Sequence, residues 1–239
     1  MLLHHVVVHI VSTVILLFFP IASFSEMPNA SKQQQWENLE NEVETWIDGM
    51  GKRIDPKIKN TTIALNILGF HTDQSCEGHL NWGNSYPWVD FSLNSEDIEL
   101  LFNQAGAISE ARDAEEKRLI EKYSSFRDVY ASEESAELKK LSSQYHQMIR
   151  TIKQRAQSKL TRLQFLIEQF YENHHVPYDR MLILIPIDSQ LLNYRLQSLG
   201  ALWADSRTEE EKAEKLKEYQ KEMSLFTNFL TECFYTDFH

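Results

Sequence analysis

Residues 136–171 read AELKKLSSQYHQMIRTIKQRAQSKLTRLQFLIEQFY, with neither proline nor glycine. Leu138, Leu141, Tyr145, Met148, Ile152, Ala156, Leu160, Leu163, Ile167 and Phe170 recur at steps of three and four, close to a sustained heptad seam. As one helix the stretch is about 54 Å long at 1.5 Å per residue, more than a small domain needs. Upstream, Ile108, Ala111, Glu115, Leu119, Tyr123, Phe126 and Tyr130 keep the same spacing, and Ala131-Ser132-Glu133-Glu134-Ser135 separates the two runs. The first arm carries Glu110, Asp113, Glu115, Glu116, Glu121 and Asp128; the second carries Lys139, Lys140, Arg150, Lys153, Arg155, Lys159 and Arg162. Opposite charge on two arms favours their docking. Residues 94–175 are therefore predicted to form a long antiparallel helical hairpin, coiled-coil-like, inserted between other elements.

The flanks of that insertion read as sheet. Residues 86–93, YPWVDFSL, alternate, with Trp88, Asp90 and Ser92 on one side and Val89, Phe91 and Leu93 on the other. Residues 181–187, MLILIPI, are apolar on both faces, the pattern of a strand inside a sheet. Residues 193–197 suit a third strand, although Leu192, Leu196, Leu199 and Trp203 also fit a helix. A helix is expected over 36–50 from Trp36, Leu39, Val43, Trp46, Ile47 and Met50. Asp55-Pro56 opens a second helix that Gly69 stops. Thr208 and Glu211 form a capping box for a final helix with Leu216, Met223, Phe226, Leu230 and Cys233 on its buried face. The fold class is α+β: a small mixed sheet of three to four strands packed by helices, with 26–93 and 176–239 as the core and 94–175 as the insertion.

The net charge of −11, from 24 basic and 35 acidic residues, argues against nucleic acid as a partner of the whole chain. Two cysteines cannot build a disulfide framework. Residues 6–19, VVVHIVSTVILLFF, precede Pro20 and IASFSEM, and no Lys, Arg, Asp or Glu occurs before Glu26. Residues 1–25 thus read as a signal peptide or membrane anchor, with Ser23 and Ser25 at a cleavage zone. Membrane contact is expected only through residues 6–24. The alternative is a start at Met27 and a cytoplasmic protein.

The densest group of reactive side chains is His71-Thr72-Asp73-Gln74-Ser75-Cys76-Glu77-Gly78-His79, an extended piece ending in a turn. Three chemistries fit it. Cys76 could act as a nucleophile with His79 or His71 as base. Cys76 and His79, with His71, Asp73 or His175, could hold zinc. Backbone NH groups and the Ser75 hydroxyl could bind a small ligand, with Glu77 and Gly78 shaping the turn. His174-His175 ends the long helix, and Trp82, Tyr86 and Trp88 either line a pocket or cover the sheet. No Gly-rich phosphate loop, G-x-S-x-G elbow or H-E-x-x-H pair is present in the sequence.

ALNILGFHTDQSCEGHL followed by PWVDFSL resembles a segment of uncharacterised bacterial and phage proteins, with the pattern L-N-x-x-G, T-x-x-S-C-x-G-H, P-[WY]-[VI]-x-F. The resemblance spans Leu65 to Phe91. It implies helix, strand, turn and strand, with Ser75, Cys76, Gly78 and His79 in one turn, and it brings no activity. The expected function is ligand or partner binding at 71–79 together with a coiled-coil arm that meets a protein partner. The alternative is a thiol- or metal-dependent hydrolase using Cys76 and His79.

Overall fold

The computed structural model describes residues 29–47, 51–123, 125–188 and 192–236. The expected leader over 1–25 lies outside them, and among the described residues no helix is long and apolar enough to cross a membrane.

Helix α1 spans Asn29–Val43 and stops short of the expected end at 50. The Thr45 hydroxyl donates to the Glu42 carbonyl at 2.7 Å, a local bond that competes with helix continuation. The chain then leaves the helix, Ile47 bridges to Arg53, and Ile47 is exposed rather than buried. Trp36 packs near Phe234 and Tyr235, and Lys32 Nζ donates to the Tyr235 carbonyl, so the start of α1 is tied to the far end of the chain.

Helix α2 is Pro56–Ile67, with Pro56 at its first position and Gly69 at φ 86° just past its end, where the missing Cβ permits the left-handed stop. Two cations of the basic arm complete this terminus. Lys159 Nζ donates to the Gly69 carbonyl and Arg162 to that of Leu68, at 3.3 and 3.1 Å. Positive charge at a helix C-terminus is favourable. Part of the basic strip therefore caps a neighbouring helix.

Strands β1 (His71–Cys76), β2 (Trp88–Ser92), β3 (Leu182–Pro186) and β4 (Asn193–Ser198) form one sheet in the order β1-β2-β4-β3. Every pairing is antiparallel, not mixed. β3 is an edge strand, not an inner one, and Pro186 suits that place because it has no NH for a second neighbour. Residues 193–198 form strand β4 as expected, and the helical alternative fails, because Leu196 lies in the strand and Trp203 is half exposed in a following 3₁₀ segment over Leu199–Ser206. Opposed residues share a face, so Val89, Phe91, Tyr194, Leu196 and Leu184 lie on one side of the sheet. Cys76, Trp88, Asp90 and Arg195 lie on the other.

The hairpin consists of α3 (Glu96–Tyr123), a short α4 (Phe126–Ala131) and α5 (Ala136–Glu172). Asp97 meets Arg155, Arg112 sits over the Tyr145 ring, and Leu119 packs with Leu138. Rising numbers on one arm thus match falling numbers on the other, as an antiparallel pair requires. The final helix α6 is Glu209–Thr236, and both bonds of its capping box form, Glu211 N to Thr208 Oγ1 and Thr208 N to Glu211 Oε2.

One apolar cluster joins the sheet residues Val89, Phe91 and Leu196 to Ile58, Leu65, Phe226 and Leu230, and also to Ala105, Ile152, Leu160, Leu163, Leu166 and Phe170. The inner turns of the hairpin share this core, while Leu119, Val129 and Leu138 form a separate small cluster near the tip. Two truncations are expected to differ. Joining residue 111 to 146 through a short linker removes only the outer arm and should leave a cooperative unfolding transition. Deleting 103–172 strips Leu160, Leu163 and Phe170 from the core and should leave a molten or insoluble chain. Equal stability of the two by thermal melting would refute this assignment.

Candidate functional site

The turn after β1 is held from three sides. Gly78 takes φ 85°, a left-handed conformation that glycine adopts without a Cβ clash. Glu77 caps helix α2, accepting from Lys57 N at 2.9 Å. Asp55 holds the N-cap position, but its carboxylate does not bond to its own helix. It reaches the turn instead, where Oδ2 accepts from Glu77 N and lies 3.1 Å from His79 Nε2. The two acids have exchanged duties between helix and turn. On the third side, Gln220 of α6 donates to the Glu77 carbonyl at 2.8 Å.

The result is a cluster of Asp55, Cys76 and His79, with one ligand atom from each within 4.8 Å of the others. Cys76 is buried, and the Gly78 amide donates to its Sγ at 3.3 Å. The His79 amide donates to the Asn84 carbonyl at 2.7 Å, and its ring stacks on Trp82 at 3.9 Å between centroids. Lys52 Nζ lies over the Trp82 ring. The expected pairing of Cys76 and His79 is thus present, and the third group is Asp55.

The other residues read as candidates divide. His71 and Asp73 are exposed on β1, away from the cluster's three ligand atoms, and Asp73 sits at an irregularity between the pairings of Thr72 and Gln74. Partial desolvation of the carboxyl against the strand, and then Asp90 nearby, raise Asp73 above its usual value although the residue as a whole is exposed. Ser75 opposes Val89 and lines the cleft described below. His175 is exposed, and it is His174 that finds a partner, Glu222, at 3.2 Å. Tyr171 OH donates to the same carboxylate at 2.9 Å while accepting from Leu182 N, and burial pushes this phenol upward. Glu222 is 3% exposed, and its place in the sequence resembles any solvated helix acid.

A cleft of about 550 Å³ opens beside the cluster. One wall is formed by Trp46, Ile47 and Lys52 to Asp55; another is Trp82 and Asn84; the floor is β1 from Thr72 to Cys76. Consecutive strand residues along its length mean that the cleft follows the strand's outer edge, because alternate side chains point to opposite faces. Trp88 also contributes, and its Nε1 is buried with no acceptor among the described residues.

Burial pushes the Cys76 thiol up, against a lowering by the Gly78 amide and with smaller raising contributions from Asp55 and Glu77. Such a thiol is protonated near neutrality, unlike the lowered thiols of cysteine nucleophiles. Burial raises Cys233 to about 11. Ellman's reagent at pH 8 should modify both folded thiols at least ~10-fold more slowly than the unfolded chain. For Cys233 the unfolded state loses its proton first, so stability falls as pH rises from 9.0 towards about 11.

Comparison with protein-family models, curated proteins and solved structures found no match to this chain.

Proposed function

We propose that the protein is a binding protein whose cleft along β1 captures an extended, acidic peptide segment. The observation that carries this reading is the cleft's course along an end strand of the sheet. An end strand presents backbone donors and acceptors to which a further strand can add. The irregularity at Asp73 confines regular pairing to Gln74–Cys76, and Asn66 Oδ1 already accepts from Thr72 N. Three or so residues of ligand backbone would bond there. Trp46 and Trp82 supply apolar contact area, and Lys52 and Arg53 offer cations to a ligand carboxylate beside Asp55 and Asp73 of the same lining. A cleft of about 550 Å³ is within the size range of ligand sites.

A random-peptide display library selected on the full chain, with counter-selection on Trp82→Ala, tests this reading. Trp82 is half exposed, so its loss should leave the fold intact. A family of acidic sequences that depends on Trp82 is expected. Recovery of none, or of sequences indifferent to Trp82, would overturn the reading.

The hairpin is assigned a second contact, with a protein partner, at its tip. Phe126 and Tyr130, one turn apart on α4, are 59% and 44% exposed far along the arm from the sheet. Phe126→Ser with Tyr130→Ser should leave thermal stability within about 0.5 kcal/mol of wild type, as exposed positions do. It should also leave peptide capture by the cleft unchanged. A large loss of stability would mean that these rings pack within the arm.

A further inference from the structure

We propose that Asp55, Cys76 and His79 form a three-ligand site for a zinc-class divalent cation beside the cleft, with a fourth position left for water. This goes beyond peptide capture and does not depend on it. The three ligand atoms already lie within 4.8 Å of one another. Ligand bonds of about 2.0–2.3 Å would draw them closer by roughly 1 Å, a movement within reach of side-chain torsions.

The donor set fits this metal class. Thiolate, imidazole and carboxylate are the three zinc ligand types, and sites with three protein ligands keep an exchangeable fourth position. The surroundings also resemble a site's support. Metal-bound groups are commonly fixed by hydrogen bonds from a second layer. Here the Gly78 amide donates to Cys76 Sγ, the Glu77 amide donates to Asp55 Oδ2, and the Trp82 face holds the His79 ring. The short Glu77–Gly78 link, with Gly78 at φ 85°, separates a thiol and an imidazole whose ligand atoms share one cluster. Asp55 arrives from the start of α2, so a bound ion would bridge that helix to the sheet.

The proton balance follows from the groups present. Cys76 would bind as thiolate, releasing its thiol proton to solvent as the Sγ–metal bond forms, and His79 would bind as neutral imidazole. Without a cation the same residues make an Asp55–His79 contact at 3.1 Å beside a buried thiol. That arrangement needs no metal, and the experiment must separate the two.

The test uses the full chain without a histidine tag, reduced and stripped with chelator, then titrated with Co²⁺. One equivalent should bind with a thiolate-to-cobalt charge-transfer band that Zn²⁺ abolishes by displacement. Cys76→Ser and His79→Gln should lose the band, and Cys233→Ser should keep it. Asp55→Asn, which retains a hydrogen-bond acceptor at that atom, should bind at least ~10-fold more weakly, and it decides the matter if either ligand variant fails to fold by circular dichroism. No band in the wild-type chain, a band that survives in Cys76→Ser, or an unchanged affinity in Asp55→Asn would overturn the site. A chain that captures selected peptides but binds no cobalt refutes the metal site alone, and the converse refutes peptide capture alone.

Discussion

Gly78→Ala should lower the free energy of unfolding by about 2–5 kcal/mol. Two costs add. A left-handed backbone costs an L-residue about 1–2 kcal/mol, and Gly78 has φ 85°. A Cβ there would also lie 2.7 Å from the Tyr86 carbonyl carbon and 2.5 Å from Leu216 Cδ1. The leucine can turn aside, but the Tyr86 backbone must move, and overpacking of this kind costs about 1–3 kcal/mol more. Gly83 provides the control. It has φ 65° but open space where a Cβ would stand, so Gly83→Ala should pay only the backbone term of about 1–2 kcal/mol. Thermal melting separates the pair, since a domain of this size loses roughly 2–4 °C per kcal/mol. Equal losses would mean that the turn is not pinned between the 86 backbone and α6.

The second large effect lies on the same face of the sheet. Arg195 grips Asp90 with two bonds, Nε to Oδ1 at 2.6 Å and Nη2 to Oδ2 at 2.8 Å, and its guanidinium lies 4.0 Å from the Trp88 ring centroid. Asp90 is 5% exposed. Asp90→Ala leaves a guanidinium largely out of water without its partner, and breaking such a pair costs about 3–5 kcal/mol. The double change Asp90→Leu with Arg195→Met removes both charges. It should recover most of the loss, because a buried ion pair and an apolar pair of similar size differ little in net stability. Urea denaturation of the two singles and the double gives the coupling directly. A loss below 1 kcal/mol in Asp90→Ala would show that water reaches the pair.

Features governed by neighbouring residues were legible in the sequence. The expected helix over 136–171 matches α5 within a residue, because its register depends only on apolar spacing along one helix. The Thr208–Glu211 box closes as its pattern implies, since both partners lie within one turn. The position of β3 was not legible. An apolar run on both faces describes burial from above and below, and it says nothing of whether a strand lies on either side. The candidate site was half legible. Cys76 and His79 converge because Gly78 fixes the turn between them. Asp55 comes from the opposite end of a helix, and Asp-Pro at a helix start is fully explained by capping until Glu77 is seen to do that work. Glu222 shows the same limit, since a buried carboxylate and a solvated one have the same letter.

Amide hydrogen exchange on the full chain, with and without a peptide from the display selection, tests the binding site most directly. If the peptide adds to the edge of β1, exchange should slow at residues 73–76 and at 51–55, while the hairpin tip at 126–135 stays unchanged. Slowing at the tip with β1 unaffected would contradict the account and place recognition on the arm.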